Sequence, residues 1–209
     1  MTDSPQLNVE SLPPHAFDTR SPVWWGNTLL TFIETMTVTL MVASYLYLCR
    51  NETQWPPPLL NRDPPIYEPL PNLGPGTVNL VLMLVSLVPM IWADWSARRG
   101  RYAGVIFGLA TALILGCIAT GVRFLEFPAV KVSWDDNAYG SLVWAILVLQ
   151  LFYLVVAVAE AGITLLWVGL HGLDEKHAMD VTLTAVYWYW DVAAWIVLYA
   201  IVYWTPRLL

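Results

Sequence analysis

The chain is poor in charged residues, and basic ones are the scarcer kind. Charged side chains make up 12% of its 209 residues, with ten lysines and arginines against sixteen acidic residues and a formal net charge of −6. A nucleic-acid partner would need basic patches, so the composition argues against one. So little charge is also unusual for a soluble protein of this length.

Few residues could hold a metal. Cys49 and Cys117 stand alone, outside any CxxC or CxxCH motif, and we expect both to be small core residues. The three histidines are His15 near the N-terminus and His171 and His177 in one polar connector. A haem or copper centre at membrane depth needs imidazole, thiolate or thioether ligands on facing helices. We therefore expect no metal and no cofactor in this chain.

Long apolar runs are what the chain has in abundance. Hydrophobic residues make up 57% of the sequence, and its mean hydropathy is +0.56. A helix rises about 1.5 Å per residue, so about 20 apolar residues cross a bilayer. The pattern predicts an all-α, polytopic membrane protein with five transmembrane helices in a bundle. A polar tail, 1–23, precedes the membrane domain, 24–209, whose predicted helices cover 27–48, 77–95, 102–125, 139–170 and 183–204.

The last apolar run, 185–205, has aromatic residues at both ends and one carboxylate, Asp191. Tryptophan and tyrosine favour the two membrane interfaces. Asp191, Trp195 and Tyr199 recur at four-residue spacing and share one helix face. A carboxylate facing lipid is costly, so we expect this face to contact protein.

The composition of the loops predicts how the helices are oriented in the membrane. The connection 49–76 is dense in proline, which disfavours helix and favours an ordered, extended path across one membrane face. Arg98, Arg99 and Arg101 form a tight basic turn between the second and third helices. Basic residues in short loops remain on the cytoplasmic side. We therefore expect the N-terminus inside and the C-terminus outside.

Three carboxylates fall inside predicted helices: Glu34, Glu160 and Asp191. Counted from the helix ends, they occupy one layer, whereas Arg123 lies toward the opposite side. Without a cation, we expect at least one to be protonated or hydrogen-bonded. Two interpretations remain open: a layer that handles protons or faces a partner, and neutral acids that fix helix packing. The donors expected from the sequence are Thr31, Thr35, Tyr189 or a tryptophan.

The last run resembles the final helix of the cytochrome c oxidase subunit III family, whose pattern is close to YWHFVDVVW followed by LY and YW. The chain has Tyr189 at the family histidine, and its carboxylate, Asp191, comes one residue before the family aspartate. The matching residues are Tyr187, Trp188, Trp195, Leu198, Tyr199, Tyr203 and Trp204.

Further blocks are similar to the same family. The run LLTFIE ends in Glu34 at the place of a family glutamate, and Trp55 opens a WPP motif after it. A family pattern QxxEY corresponds to Arg123 through Phe127, where Arg123 and Glu126 can form a structural ion pair at i, i+3, which we expect at the outer membrane interface. The family's YGS motif is present at 139–141, but both histidines of its HGLH motif are replaced, the first by Gln150.

The resemblance implies a non-catalytic subunit of a haem-copper terminal oxidase, in a bacterial cytoplasmic membrane. Haem and copper would belong to partner subunits, with subunits I and II as neighbours. The chain would bind phospholipid, support stability and proton uptake, and could join a respiratory supercomplex. The larger family form has two additional N-terminal helices, and we expect this chain to lack them. Glu34, Glu160 and Asp191 are the proton-related or partner-facing candidates, and the candidates for lipid or interface contacts are Trp25, Trp55, Trp188, Trp195 and Tyr199.

Two alternatives stay open. One is an accessory subunit of a nitric oxide reductase, which also has a short five-helix form. The other is a small proton channel or transporter that uses the three carboxylates, although the sequence has no paired halves with interrupted helices.

Overall fold

The computed structural model describes residues 22–173 and 175–208, and for residues 175–177 the backbone alone. Within these ranges the chain forms five long helices and no strand, which confirms the predicted all-α, five-helix fold. The last helix continues through a π-helical segment, Ala200–Trp204, into α6, Thr205–Leu208. The long helices are α1 Pro22–Asn51, α2 Leu73–Ala97, α3 Tyr102–Ala129, α4 Ala138–His171 and α5 Glu175–Tyr199.

Each of the first four helices contains its predicted range and extends beyond it at one or both ends. The fifth predicted range, 183–204, begins within α5 and ends with the π-helical segment. Hydropathy falls at the headgroup level, whereas the hydrogen-bonded backbone continues, so composition underestimates helix length. At the N-terminal end, Pro22 and Val23 belong to the first turn of α1 and not to the expected tail. Proline suits this position because the first amides of a helix have no internal acceptor. The rest of the tail, 1–21, lies outside the described residues.

All five helices are long and apolar enough to cross a membrane. Their outward faces carry large hydrophobic side chains. A continuous apolar surface of this kind matches lipid tails rather than water. Exposed examples, one from each helix in turn, are Leu40, Val88, Ile114, Ile163 and Val197.

Small residues bring α2 and α3 together. Gly104 and Gly108 form a GxxxG motif in α3, and Ala112 and Gly116 continue it at the same spacing. A Cβ added at Gly108 would lie 2.7 Å from the carbonyl oxygen of Pro89 in α2. Glycine is therefore required for this close backbone approach.

The central helix of the bundle is α5, which packs against α1, α2 and α4. In the most apolar stretch of this last span, 56% of the residues are buried, against 17% in the corresponding stretch of α1. Three residues of α1 are buried: Glu34, Val38 and Tyr45. The first helix is therefore the least embedded, and one of its few inward side chains is a carboxylate.

The proline-rich connection between α1 and α2 is tied to the link between α3 and α4. Leu59 and Ile66 form an isolated antiparallel bridge, with backbone hydrogen bonds of 2.8 and 3.1 Å. Arg62 reaches across to Asp136, with 2.7 Å between Nη2 and Oδ2. Both links lie at the same end of the bundle, as alternating antiparallel helices require.

Candidate functional site

The three carboxylates predicted from the sequence each accept a hydrogen bond from α4 or α5. Glu34 Oε1 accepts from the Tyr187 hydroxyl at 3.0 Å, and Asp191 Oδ1 accepts from Gln150 Nε2 at 2.7 Å. Glu160 Oε1 accepts from Thr184 Oγ1 at 3.3 Å. Glu34 and Asp191 are buried, whereas Glu160 is half-buried.

Tyr187 lies among the three acids and interacts electrostatically with each of them. Glu34 also interacts with Glu160 and with Asp191. The structure therefore brings Glu34, Glu160, Asp191 and Tyr187 together, and we call these four residues the carboxyl cluster. It joins α1 to α4 and α5 at a position where α1 has few other inward side chains.

The donors differ from those expected. Thr31 and Thr35 donate to backbone carbonyls of their own helix. A Ser or Thr hydroxyl in a helix readily bonds the carbonyl one turn earlier, which explains why α1 does not supply its own donors. Hydroxyl donors come instead from Tyr187 and Thr184, which were not expected as donors from the sequence.

Arg123, Glu126, Trp195 and Tyr203 form a second group, which we call the arginine cluster. Arg123 Nη1 lies 2.6 Å from Glu126 Oε2, and the Tyr203 hydroxyl donates to Glu126 Oε1 at 2.5 Å. Both charged side chains are fully buried. The pair was expected at the outer interface, but Tyr203, beyond α5, covers it.

Gly76 in α2 leaves space for the ring of Tyr203. A Cβ at Gly76 would lie 2.5 Å from the ring carbon Cζ of Tyr203. The tyrosine ring therefore packs directly on the α2 backbone. This contact holds its hydroxyl against Glu126.

The expectation that no cation lies near the three carboxylates is wrong, because Arg123 reaches toward them. Its guanidinium carbon lies 3.8 Å from the centroid of the Trp195 ring, and Arg123 interacts electrostatically with Asp191. Trp195 follows Asp191 by one helical turn. The long arginine side chain thus reaches from its helix end toward the carboxyl cluster.

The five aromatic candidates for lipid or interface contacts occupy different environments. Trp25 is exposed near the start of α1, and Trp55 is half-buried and donates to Tyr45 Oη at 3.0 Å. Trp188, Trp195 and Tyr199 lie inside the bundle. Trp188 donates to Ser86 Oγ at 2.9 Å, and Tyr199 is hydrogen-bonded to Thr77 at 2.6 Å. These three contact other helices of the chain.

An apolar groove of about 380 Å³ runs between α1 and α5. Trp190 Nε1 donates to Thr35 Oγ1 across it at 2.8 Å. A groove of this composition suits a hydrocarbon chain. Its lining is Thr35, Val38, Thr39, Val42, Trp190, Ala193, Ala194 and Val197.

No metal-binding group of three or more histidine, cysteine or acidic side chains occurs among residues 22–173 and 175–208. Cys49 is half-buried and Cys117 is exposed on α3. The expectation of a core position is therefore wrong for Cys117. His15 falls outside the described residues.

Comparison with known proteins decides the family. The sequence model of cytochrome c oxidase subunit III matches residues 15–206. The chain belongs to this family. Together with its five apolar helices, this makes it an integral membrane protein.

Individual proteins similar to this chain bear names that agree with the family. Cytochrome c oxidase subunit 3 of Struthio camelus is 25% identical over 151 residues, which cover 72% of this chain and 55% of the relative. The protein of the same name from Danio rerio is 25% identical over 150 residues, with the same coverage. That from Prototheca wickerhamii is 24% identical over 126 residues, 60% of this chain and 48% of the relative. The chain spans about half the length of these relatives.

Proposed function

We propose that the chain is a non-catalytic subunit III of a membrane-bound haem-copper oxidase. The match of the family model to residues 15–206 carries this proposal. Electron transfer and oxygen reduction would then take place in subunits I and II, which would hold the haem and copper. The role of this chain would be support of the catalytic subunit, and membership of a respiratory supercomplex is a further part of the proposal.

Within that role, Glu34 is the residue we assign to proton uptake or to a partner contact. It is buried, yet it lies on the least embedded helix. Tyr187 occupies one carboxyl oxygen, and the other, Oε2, has no hydrogen-bond partner within the described chain. A carboxyl with one unoccupied oxygen at a loosely packed helix is suited to exchange protons with a neighbouring subunit.

Phospholipid binding is assigned to the groove between α1 and α5. Its walls are mostly apolar, and its volume of about 380 Å³ accommodates part of an acyl chain. Trp24 and Trp25 at the start of α1 pack edge to face, 5.3 Å between centroids. Tryptophan at a helix end favours the headgroup region.

The proposed location is a bacterial cytoplasmic membrane with the N-terminus inside. Arg98, Arg99 and Arg101 are exposed at the turn between α2 and α3. Arg99 stacks on Trp95, with 3.5 Å from its guanidinium carbon to the ring centroid. A tight basic turn next to interfacial tryptophan favours the cytoplasmic side.

Purification in mild detergent through a tag on this chain tests the assignment. We expect co-purified subunits I and II and the spectrum of a haem-copper oxidase. Recovery with a nitric oxide reductase instead would support the alternative accessory role. Recovery with neither, together with proton flux by the purified chain in liposomes, would overturn the proposal in favour of a channel.

A second experiment addresses Glu34. In the purified oxidase, Glu34→Gln keeps the side-chain shape and the Tyr187 acceptor but removes the carboxyl proton. We expect normal initial turnover and a shorter active lifetime than in the parent oxidase. Glu68→Gln is the control, because Glu68 is exposed in the connection between α1 and α2. An unchanged lifetime and unchanged proton uptake would reduce Glu34 to a packing residue.

A further inference from the structure

Four fully buried side chains near the two clusters have polar atoms without a hydrogen-bond partner in the described chain. The unpaired donors are Arg123 Nε, Arg123 Nη2 and Trp195 Nε1. The unpaired acceptors are Gln150 Oε1 and Asn79 Oδ1. All four residues are 0% exposed. Buried groups of this kind are rarely left unpaired in a stable protein, because each has lost its hydration.

These atoms adjoin both clusters. Gln150 binds Asp191 through Nε2, so its unpaired oxygen is on the same amide group. Trp195 follows Asp191 by one turn, and the Arg123 guanidinium lies on its ring. Asn79 donates to the carbonyl of Ala119, which is one turn before Arg123 on α3. Unpaired groups thus come from α2, α3, α4 and α5, and those of α3, α4 and α5 adjoin the turn of α5 from Asp191 to Trp195.

Donors and acceptors are both present, but they do not meet directly. Arginine and indole nitrogens can only donate, and the amide oxygens can only accept. A molecule that satisfies both kinds must accept and donate at once. Water does so, and buried waters in proteins typically make about three hydrogen bonds to groups of this sort.

We propose that Arg123, Trp195 and Gln150 surround a buried water site, and that water bound there joins the arginine cluster to the carboxyl cluster. The hydrogen-bonded chain would run from Tyr203 and Glu126 through Arg123 and water to Gln150 and Asp191. The proposal depends on the packing of this chain and not on its role in an oxidase.

Such a link has a functional consequence. Asp191 would be connected to Glu126 and Tyr203, so the charge on Asp191 would affect that on Glu126 through Arg123, and the reverse. The bound water would also supply exchangeable protons deep in the bundle. The path would end at Tyr203, whose backbone carbonyl accepts from Arg207.

A single-particle map of the purified parent complex, at a resolution that shows ordered water, tests the site directly. We expect density within hydrogen-bond distance of Arg123 Nε or Nη2 and of Trp195 Nε1 or Gln150 Oε1. Direct contact of these side chains with one another, or a dry gap between them, would overturn the proposal. The map needs no variant and tests the water even if the catalytic partners prove to be those of a different reductase.

A double-mutant cycle gives an independent measurement. Arg123→Gln and Gln150→Leu are made singly and together, and the thermal midpoint of the complex is recorded. If both side chains bind the same water, the combined loss is clearly smaller than the sum of the single losses. Additive losses would count against the shared site. Thr184→Val is the control partner for Arg123→Gln, because it bonds Glu160 on the other side of the carboxyl cluster, and that pair should be additive.

Discussion

At the scale of single residues, burial separates two ion pairs of the same chemical type, each between an arginine and a carboxylate. Arg123 and Glu126 are 0% exposed, whereas the side chains of Arg62 and Asp136 are 38% and 18% exposed. Removing one partner of a buried pair leaves an uncompensated charge in a medium of low dielectric. A partly exposed pair is screened by water and contributes little.

Glu126→Gln should therefore destabilise the chain strongly. The amide retains the size of the side chain but leaves the Arg123 guanidinium without its ionic partner, which costs about 3 to 5 kcal/mol in a buried site. Thermal unfolding of the purified complex measures the loss.

Asp136→Asn is the matched control for this variant. Its pair with Arg62 is partly exposed, so the expected loss is about 1 kcal/mol or less. Equal losses in the two variants would show that the buried pair has no special role.

The sequence predicts the Arg123–Glu126 pair from spacing alone, because residues three apart on a helix are neighbours. It does not predict the burial, since Tyr203 is 77 positions away in sequence from Glu126. The sequence likewise does not predict the hydrogen bond of Glu34, because its donor, Tyr187, lies on another helix. Gln150 did carry a signal as the one amide within the apolar run of α4, at a position where the family pattern has histidine.

At the scale of helices, the closest approach is that of α2 and α3. It depends on the absence of a side chain at Gly108, where a Cβ would meet the backbone of Pro89 and the side chain of Ala93. Gly121 on the same helix has no atom within 4 Å of an added Cβ. The two glycines thus differ in packing but share one helix.

Gly108→Ala and Gly121→Ala should have opposite effects. Overpacking at Gly108 costs about 1 to 3 kcal/mol, whereas alanine at Gly121 improves helix propensity by up to about 1 kcal/mol. Thermal unfolding of the two variants in the same detergent compares them. An unaffected Gly108→Ala would contradict the close contact, and a destabilised Gly121→Ala would contradict the open surroundings of Gly121.

Hydrogen bonds between described residues join α1 to α5. Asn27 Nδ2 donates to Leu183 O at 3.0 Å, Tyr187 to Glu34 at 3.0 Å, and Trp190 to Thr35 at 2.8 Å. With few buried apolar residues on α1, these polar contacts account for much of its attachment. The apolar groove beside them leaves α1 partly separated from the bundle.

Tyr187→Phe removes one of these bonds with little change in volume. Because Glu34 then loses its donor in a buried position, we expect a loss of about 1 to 3 kcal/mol. Thermal unfolding measures it, with Tyr47→Phe as control, since Tyr47 is 70% exposed on α1. Similar stability of the two variants would mean that apolar packing alone holds α1.

The number of helices was predictable because each apolar run is long enough to cross a membrane. Their mutual packing was not, since a membrane helix is apolar on the lipid side as well as on the buried side. Val88 and Met90 in α2 illustrate this: both are apolar, but Val88 is exposed and Met90 is fully buried. Small residues such as Gly104 and Gly108 are the sequence signal that does mark a contact face.

At the scale of the whole molecule, the loops fall into two sets. The connection between α1 and α2 is bound to the link between α3 and α4 through Arg62 and Asp136. The basic turn between α2 and α3 lies at the opposite end, next to α5, where Thr182 donates to Asp94 at 2.7 Å. The two ends therefore face opposite sides of the membrane, and in the proposed orientation the tight arginine turn lies on the cytoplasmic side.

Thiol labelling in intact cells tests this orientation. In a background with Cys49 and Cys117 replaced by alanine, Asn61→Cys introduces a thiol on the proline-rich connection, and Tyr102→Cys introduces one beside Arg101. Both positions are exposed. Because short basic loops remain inside, a membrane-impermeant reagent should label Asn61→Cys in intact cells and Tyr102→Cys only after the membrane is opened. The reverse pattern would place the N-terminus outside, and with it the carboxyl cluster would face the opposite compartment.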